Sequence, residues 1–250
     1  MNMMKKYKIV VAYEGTEYFG WQQQKNLPTI AGTLEKSFFS VFGKKISLLG
    51  ASRTDAGVHA LCQVAQFNTD LVISPQRMLQ AWNNRLPSDI VINQLEEVPL
   101  TFHIHAAVER KTYRYHFFLE RPLPLSQRFG WYFYYSVDIE KLKKALHVFV
   151  GTHDFRSFCT GDEREDTVRT IDAVSVSFNR QLQAHVIEII GKKFLHYMVR
   201  RIVGACLDAA SRDFLSINCL REALAKKDPE QTLPNAPSKG LILHHIEYQK

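Results

Sequence analysis

The sequence lacks several patterns by which whole classes of protein are recognised. It has only four cysteines, and no two of them form a Cys-x-x-Cys pair, so neither a disulfide framework nor a zinc cluster is indicated and four free thiols are expected. The 12 glycines and 9 prolines in 250 residues exclude a collagen-like or linker-dominated chain. No apolar run approaches the roughly 18 residues of a membrane-spanning helix. These absences predict a globular protein with reduced cysteines.

Short motifs of several common enzyme classes are also missing. There is no G-x-x-x-x-G-K-[ST], no G-x-G-x-x-G and no G-x-S-x-G, so nucleotide hydrolysis, dinucleotide redox chemistry and serine hydrolysis have no local support. His103 and His105 place two imidazoles on one strand face. Because no cysteine or carboxylate at ligand spacing accompanies them, no metal site is predicted.

What the chain does have is an excess of positive charge. Its 32 Lys and Arg residues exceed its 25 Asp and Glu residues, which gives a net charge of +7. Such a charge permits a polyanionic partner without requiring one. The apolar stretch after the first lysines is about five residues long, too short for the hydrophobic region of a signal peptide, so we expect the protein to stay in the cytoplasm.

Hydrophobic periodicity divides the chain into two halves with the same element order. The first half is predicted to have strands at 8–13, 46–51, 61–68 and 90–98, with helices at 35–42 and 75–85 capped by Thr29 and Ser74. The second half is predicted to have strands at 111–119, 172–179, 184–192 and 241–248, with helices at 138–150, 195–211 and 217–226. This order, β-α-β-β-α-β repeated with one extra helix, predicts an α+β protein of two ferredoxin-like domains, 1–105 and 106–250. Their mainly antiparallel sheets are expected to flank a central active-site cleft.

The loop between the central strands of the first half, GASRTDAGVHA at 50–60, is the most unusual segment. Its plain interpretation is a connecting turn, because Thr-Asp-Ala-Gly suits a tight turn in which Gly57 takes a positive φ. Arg53, however, stands two residues before Asp55. A neighbouring guanidinium keeps a carboxylate ionised, as a carboxylate nucleophile requires. Asp55 is therefore a candidate nucleophile.

A strand in the second half combines aromatic and basic residues. Tyr113, Tyr115 and Phe117 alternate along it, so they share one face, while Arg114 and His116 take the other. Alternating aromatics are typical of a core, whereas aromatic faces beside cations are how proteins hold unpaired bases and their phosphates. Both interpretations stay open for different members of the set.

Two further charged segments lie in the second half. Residues 191–204 run from a strand into a helix and contain four cations, of which Arg200 and Arg201 have the plain interpretation of a solvated pair. The apolar positions of that helix trace one face, as in core packing. Residues 162–166, DERED, are predicted to form a solvated acidic loop.

Taken together, these segments resemble the tRNA pseudouridine synthase A family over nearly the whole chain. The central motif is RTDAGVHA at 53–60. The others follow in the family's order: YEGT at 13–16, FGWQ at 19–22, LPSDI at 86–90, KTYRY at 111–115, GTHDFRSF at 151–158, FLHYMVR at 194–200 and GLIL at 240–243.

The resemblance implies isomerisation of uridine to pseudouridine at positions 38, 39 and 40 in the anticodon stem-loop of tRNA, without a cofactor or a metal. It implies that Asp55 is the nucleophile that initiates cleavage of the glycosidic bond, and that Tyr113 stacks on the target uracil. It further implies that Arg200 pairs with the aspartate and that Arg53 takes part in flipping the target nucleotide out of the stem. A homodimer whose tRNA spans both subunits is also implied.

Four positions depart from the residues usual in the family. Ser52 and Cys62 stand where glycine is frequent, Arg201 where asparagine is common, and His105 where arginine is usual. The departures concern local RNA contacts, and His105 weakens one expected phosphate interaction. None of them removes Asp55.

Two alternative functions remain at this point. A non-catalytic RNA-binding protein of two RRM-like domains would have the same element order, although the aromatic octapeptide of RRM domains is missing. A pseudouridine synthase acting on another RNA would have the same catalytic loop.

Overall fold

The computed structural model describes residues 3–160, 166–211 and 215–249. The chain divides into two compact units, of which the first is Met1–Glu109 with Leu243–Lys250 and the second is Arg110–Ile242. The predicted domains, 1–105 and 106–250, stay a prediction. The units differ from them because the last residues of the chain join the first unit, and strand periodicity does not tell which sheet a strand joins. The acidic loop predicted at 162–166 lies, apart from Asp166, outside the described residues.

The sheet of the first unit is built around its first strand. β1 (Lys5–Tyr13) pairs antiparallel with β3 (His59–Thr69) on one side and with β4 (Ile90–Val98) on the other. The two-residue β2 (Leu49–Gly50) pairs antiparallel with β3, and β10 (Leu241–Tyr248) also lies beside β3. Two antiparallel neighbours on β1, with β2 beyond β3, form the split β-α-β arrangement that the element order predicted.

Both predicted helix caps of the first unit are present. Thr29 precedes α1 (Ile30–Phe42), and its side chain accepts the backbone N–H of Gly32 at 3.3 Å. Ser74 caps α2 (Pro75–Asn83) in the same way, and a proline occupies the first helical position, where its missing N–H costs nothing. Local sequence therefore determines where these helices begin.

Aromatic rings form the core of the first unit between its helices and its sheet. The ring of Phe38 from α1 lies 4.8 Å from that of Trp82 from α2 and 5.4 Å from that of Phe67 from β3. Because such edge-to-face groups bury large apolar areas, they hold both helices on one face of the sheet.

The second unit contains an antiparallel sheet of order β5-β9-β8-β7. Its strands are β5 (Val108–Phe118), β7 (Gly151–Asp154), β8 (Val168–Asn179) and β9 (Ala184–Gly191), and the short β6 (Trp131–Tyr132) runs parallel to β5. β6 and β7 were not predicted because two and four residues are too few for an alternating pattern to be recognised.

Three helices accompany this sheet: α3 (Ile139–His147), α4 (Met198–Ser211) and α5 (Ile217–Lys226). The helix α4 begins three residues later than predicted, because Tyr197 has a φ of 62° and ends a turn before the helix starts. Most residues of α4 are buried, so this helix contributes mainly to the core of the second unit.

The described elements are five helices and mostly antiparallel strands, which confirms the predicted α+β class. Within the described ranges, no helix is long and apolar enough to cross a membrane.

The cap of α3 generates a stability prediction. Asp138 accepts the backbone N–H groups of Glu140 and Lys141 at 2.9 and 3.0 Å. We expect Asp138→Ala to lower the free energy of unfolding by about 1 kcal/mol in urea titrations, because two N–H groups lose their acceptor. Asp138→Asn keeps an acceptor and should recover most of the loss. An equal loss in both variants would show that the carboxylate charge, not the hydrogen bonds, stabilises the helix.

Candidate active site

The loop between β2 and β3 carries Arg53 and Asp55 in the first unit. Arg53 is exposed and Asp55 is half-buried, whereas Thr54 between them is buried. The segment is also the tight turn of the plain interpretation, since the Val58 N–H donates to the Asp55 carbonyl at 3.2 Å and Gly57 has a φ of 75°. The turn therefore leaves Arg53 exposed and Asp55 half-buried, while Thr54 is buried in the unit.

Thr54 is held from two directions. Its hydroxyl lies 2.7 Å from the hydroxyl of Tyr13 at the end of β1, and its carbonyl accepts the Trp21 N–H at 3.1 Å. Gly20 has a φ of +85°, and a Cβ there would lie 2.5 Å from the Thr54 carbonyl oxygen. Only glycine therefore fits where the chain passes the loop.

The segments that accompany the loop in sequence also surround it in space. The Gly57 N–H donates to the Tyr18 carbonyl at 3.1 Å, and the Tyr18 hydroxyl donates to a carboxylate oxygen of Asp89 at 2.8 Å. Burial, followed by the hydrogen bond to Asp89, raises the pKa of Tyr18 well above its ordinary value. The motifs at 13–16, 19–22 and 86–90 thus hold the loop in place.

His59 is a buried part of this support to which the sequence by itself assigned no role. Its Nδ1 accepts the Gly15 N–H at 3.0 Å, and a carboxylate oxygen of Glu14 lies 3.6 Å from the same nitrogen. A ring nitrogen that accepts an N–H carries no proton of its own, so the contact with Glu14 is not an ion pair in this arrangement. The presence of histidine after the turn was the one signal available in the sequence.

Tyr113 lies in the second unit on β5 and is only 6% exposed. The ring of Phe194 meets it edge-on, with centroids 5.1 Å apart. Tyr115 and Phe117 on the same face are 1% and 0% exposed, so the core interpretation holds for these two. The Tyr115 hydroxyl donates to the Pro237 carbonyl at 2.8 Å, and burial raises the pKa of Tyr115 well above its usual range.

Arg114 takes the opposite face of β5. Its Nε donates to a carboxylate oxygen of Glu188 at 2.7 Å, and the two residues stand directly opposite each other on β5 and β9. A cross-strand pair of opposite charge stabilises the sheet modestly. This face assignment agrees with the alternation in the sequence.

Arg200 lies in the first turn of α4. Its Nε donates to the Ala236 carbonyl at 2.8 Å, and its guanidinium carbon lies 4.8 Å from the centroid of the Tyr197 ring. The Arg200 carbonyl in turn accepts the Ala236 N–H at 3.1 Å. The guanidinium is therefore positioned by backbone and ring contacts, which is more than the solvated pair of the plain interpretation.

Arg201 differs from its neighbour. Its Nε and Nη1 are buried and have no hydrogen-bond partner in the part of the chain that the structure describes. Burial also lowers the pKa of Arg201. Arg201, like Arg200, is therefore not part of the solvated pair that the plain interpretation described.

Lys111 lies on β5 and stands opposite Gly191 of β9. Burial, followed by the nearby charge of Lys193, lowers the pKa of Lys111 to about 8. The second unit therefore places a cation that titrates near neutral pH two residues from Tyr113.

The predicted site residues are thus distributed over both units, with Arg53 and Asp55 in the first and Tyr113 and Arg200 in the second. Among the described residues, no three His, Cys, Asp or Glu side chains form a group that would hold a metal ion.

Comparison with known proteins identifies the family. Residues 9–105 and 145–249 match the family described as tRNA pseudouridine synthase. The chain belongs to this family. The resemblance seen in the sequence is thereby confirmed, and the protein is an isomerase that acts on tRNA.

Individual relatives align over almost their full length. The chain is 38% identical over 248 residues to tRNA pseudouridine synthase A of a Thermoanaerobacter species, covering 98% of this chain and 100% of that protein. It is 36% identical over 247 residues to the protein of the same name from Acetivibrio thermocellus, with 98% and 100% coverage. The Lactobacillus helveticus protein is 34% identical over 252 residues, with 99% and 95% coverage.

The role of His59 in the family motif can be tested by substitution. We expect His59→Leu to lower the free energy of unfolding by about 2 kcal/mol, because the Gly15 N–H loses its acceptor inside the protein. The turnover rate on tRNA should fall at least tenfold with little change in KM, since the loop and not the RNA surface is disturbed. His59→Asn offers an acceptor oxygen and should recover part of both losses, and His245→Leu on an exposed residue should change neither. Failure of asparagine to recover anything would contradict the acceptor role.

The lowered pKa of Lys111 predicts how stability depends on pH. The pKa rises to the ordinary lysine value of 10.5 in the unfolded chain, which therefore binds more protons than the folded chain between pH 8 and 10.5. Stability contributed by this group must increase as the pH rises through that window. Unfolding free energies measured in urea should show an increment of about 2 kcal/mol between pH 7.5 and 10 that Lys111→Met abolishes. Parallel pH curves for the two proteins would refute the assignment.

Proposed function

We propose that this protein isomerises uridine to pseudouridine at positions 38, 39 and 40 of the tRNA anticodon stem-loop, with Asp55 as nucleophile and without a cofactor. One observation carries the proposal, namely that Thr54 is held by both Tyr13 and Trp21 while its neighbours are the exposed Arg53 and the half-buried Asp55. A nucleophile must be placed accurately before substrate arrives, and a loop anchored on both sides of the unit does this.

The chemistry needs an ionised carboxylate. In the proposed reaction, Asp55 initiates cleavage of the bond between N1 of the base and C1′ of the sugar, and the uracil turns and rejoins the sugar through C5. Addition to C6, attack at C1′ and removal of a sugar proton are three routes that share this requirement. The half-buried position of Asp55 suits all three.

The other site residues have complementary roles in the proposal. The exposed Arg53 assists the flipping of the target nucleotide, a step that costs a few kcal/mol and is offset by contacts to the flipped base. Tyr113, held edge-on by Phe194, stacks on the uracil. Arg200 pairs with the catalytic aspartate through its terminal nitrogens, because its Nε already donates to Ala236.

The remaining tRNA contacts rest on charge. An excess of seven positive charges favours phosphate binding with release of counterions. The homodimer and the cytoplasmic location expected from the sequence stay predictions.

The decisive experiment uses tRNA that carries tritium at C5 of uridine, because pseudouridine formation releases that label. We expect release by the wild-type protein and a loss on the order of 1,000-fold or more in Asp55→Ala and Asp55→Asn. Binding of tRNA to both variants should survive, since the charge that holds phosphates is unchanged. Undiminished release by Asp55→Ala would eliminate the proposed nucleophile.

Two controls accompany it. Arg114→Ala should retain most activity, because Arg114 pairs with Glu188 on the opposite face from Tyr113. Transcripts with a single labelled uridine at position 38, 39 or 40 should release tritium, and a transcript labelled only outside the anticodon stem-loop should not. Release from that last transcript alone would favour a different RNA site.

A further inference from the structure

One edge of the sheet in the second unit is only partly covered. β9 pairs with β8 from Ile171 to Asn179, whereas β7 pairs with its other edge only from Val168 to Ile171. Within the described residues, no strand pairs with that outer edge over 173–179. About 23 Å of strand therefore presents unpaired backbone N–H and C=O groups, enough for an added strand of five or six residues.

A groove lies beside this open edge. Its volume is about 710 Å³, and it is bounded by β8, α3 and α5. Val174 and Val176 from β8 and Leu146 from α3 give it an apolar lining. A strand edge beside a helix, with an apolar lining between them, is the arrangement by which proteins accept an extended peptide as an additional strand.

The groove is also strongly basic. Lys143, Lys144, His147 and Arg221 line it, and none of the described residues that line it is a carboxylate. Lys143 forms an ion pair with Glu140 at 2.7 Å, which offsets part of its charge, whereas Arg221 donates to the neutral Asn218 at 2.8 Å. A partner that fills the groove must therefore supply negative charge.

The edge carries little of the usual protection against pairing, since Asp172 and the bulge between Ile171 and Ala173 lie at its start and residues 173–179 have no charged side chain. Proteins commonly place lysine or proline on an exposed edge strand, but residues 172–179, DAVSVSFN, contain neither. The side chain of Phe178 is also 48% exposed on this strand. An edge so accessible and so apolar is suited to pairing with another chain.

We propose that this edge and groove bind an extended acidic segment of a partner protein, which adds as a strand to β8 beside α3. RNA is less suitable, because it has no N–H and C=O groups at strand spacing and would leave the edge unpaired. A second copy of this chain is less suitable as well, because pairing edge to edge would bring two sets of groove cations together. None of the residues that line the groove is assigned to catalysis, and the proposal does not depend on the proposed function.

The test uses the full-length protein and a fluorescein-labelled heptapeptide of alternating glutamate and valine, followed by fluorescence anisotropy. We expect saturable binding. The same peptide with lysine in place of glutamate should not bind, and a version N-methylated at every backbone amide should bind at least tenfold more weakly, because neither of its edges can then donate hydrogen bonds to β8. Amide hydrogen exchange over 172–179 should slow when the first peptide is present.

Charge reversal supplies the matched variants. Lys144→Glu combined with Arg221→Glu should weaken peptide binding at least tenfold, while tritium release from tRNA stays within twofold of that of a control variant with the same change in net charge. Lys36→Glu combined with Lys45→Glu makes the same charge change on exposed residues of the first unit and should leave peptide binding within twofold.

Four results would overturn the proposal. They are the absence of saturable binding up to millimolar peptide, equal binding of the N-methylated peptide, protection of 172–179 by an anticodon stem-loop RNA in place of the peptide, and protection that grows with protein concentration without any peptide. The third would identify an RNA surface and the fourth an interface between two copies.

Discussion

The hydrogen bond between the hydroxyls of Tyr13 and Thr54 joins the end of the central strand of the first unit to the loop that carries Asp55. Both side chains are buried, so breaking the bond would leave polar atoms without water. The passage of Gly20 against the same loop and the acceptor role of His59 depend on that placement. Because these buried contacts hold the turn, it can carry the exposed Arg53 and the half-buried Asp55.

In the second unit, two cations lie next to the buried aromatic core. Tyr115 and Phe117 are packed inside, and Tyr113 on the same face is nearly so. Around them, Arg200 is held by the backbone of Ala236, and Lys111 is buried enough for its pKa to fall to about 8. Burial of a cation disfavours its charged form, which is why the pKa of Lys111 falls.

Much of the fold was predictable because its signals are local. The caps at Thr29 and Ser74, the strand at 90–98 and the alternation that separates Tyr113 from Arg114 depend on residues within a few positions of one another. The elements that were missed are the shortest ones, and the start of α4 was displaced by a single residue with positive φ. The candidate residues were found through motif resemblance more than through physics, because a turn with an arginine and an aspartate is common in loops that have no chemistry.

The sequence by itself determined the order of the longer elements, the α+β class, the family and the identity of the charged loop, since each of these follows from patterns of neighbouring residues. Tertiary structure alone decided that His59 accepts the Gly15 N–H, that Thr54 is held by Tyr13, and that β7 leaves most of one edge of β8 uncovered. Hydrogen bonds between residues about 40 positions apart, and the length over which two strands pair, depend on how the chain returns on itself. Periodicity specifies which face of a strand is buried, but it carries no information about which partner lies at its edge.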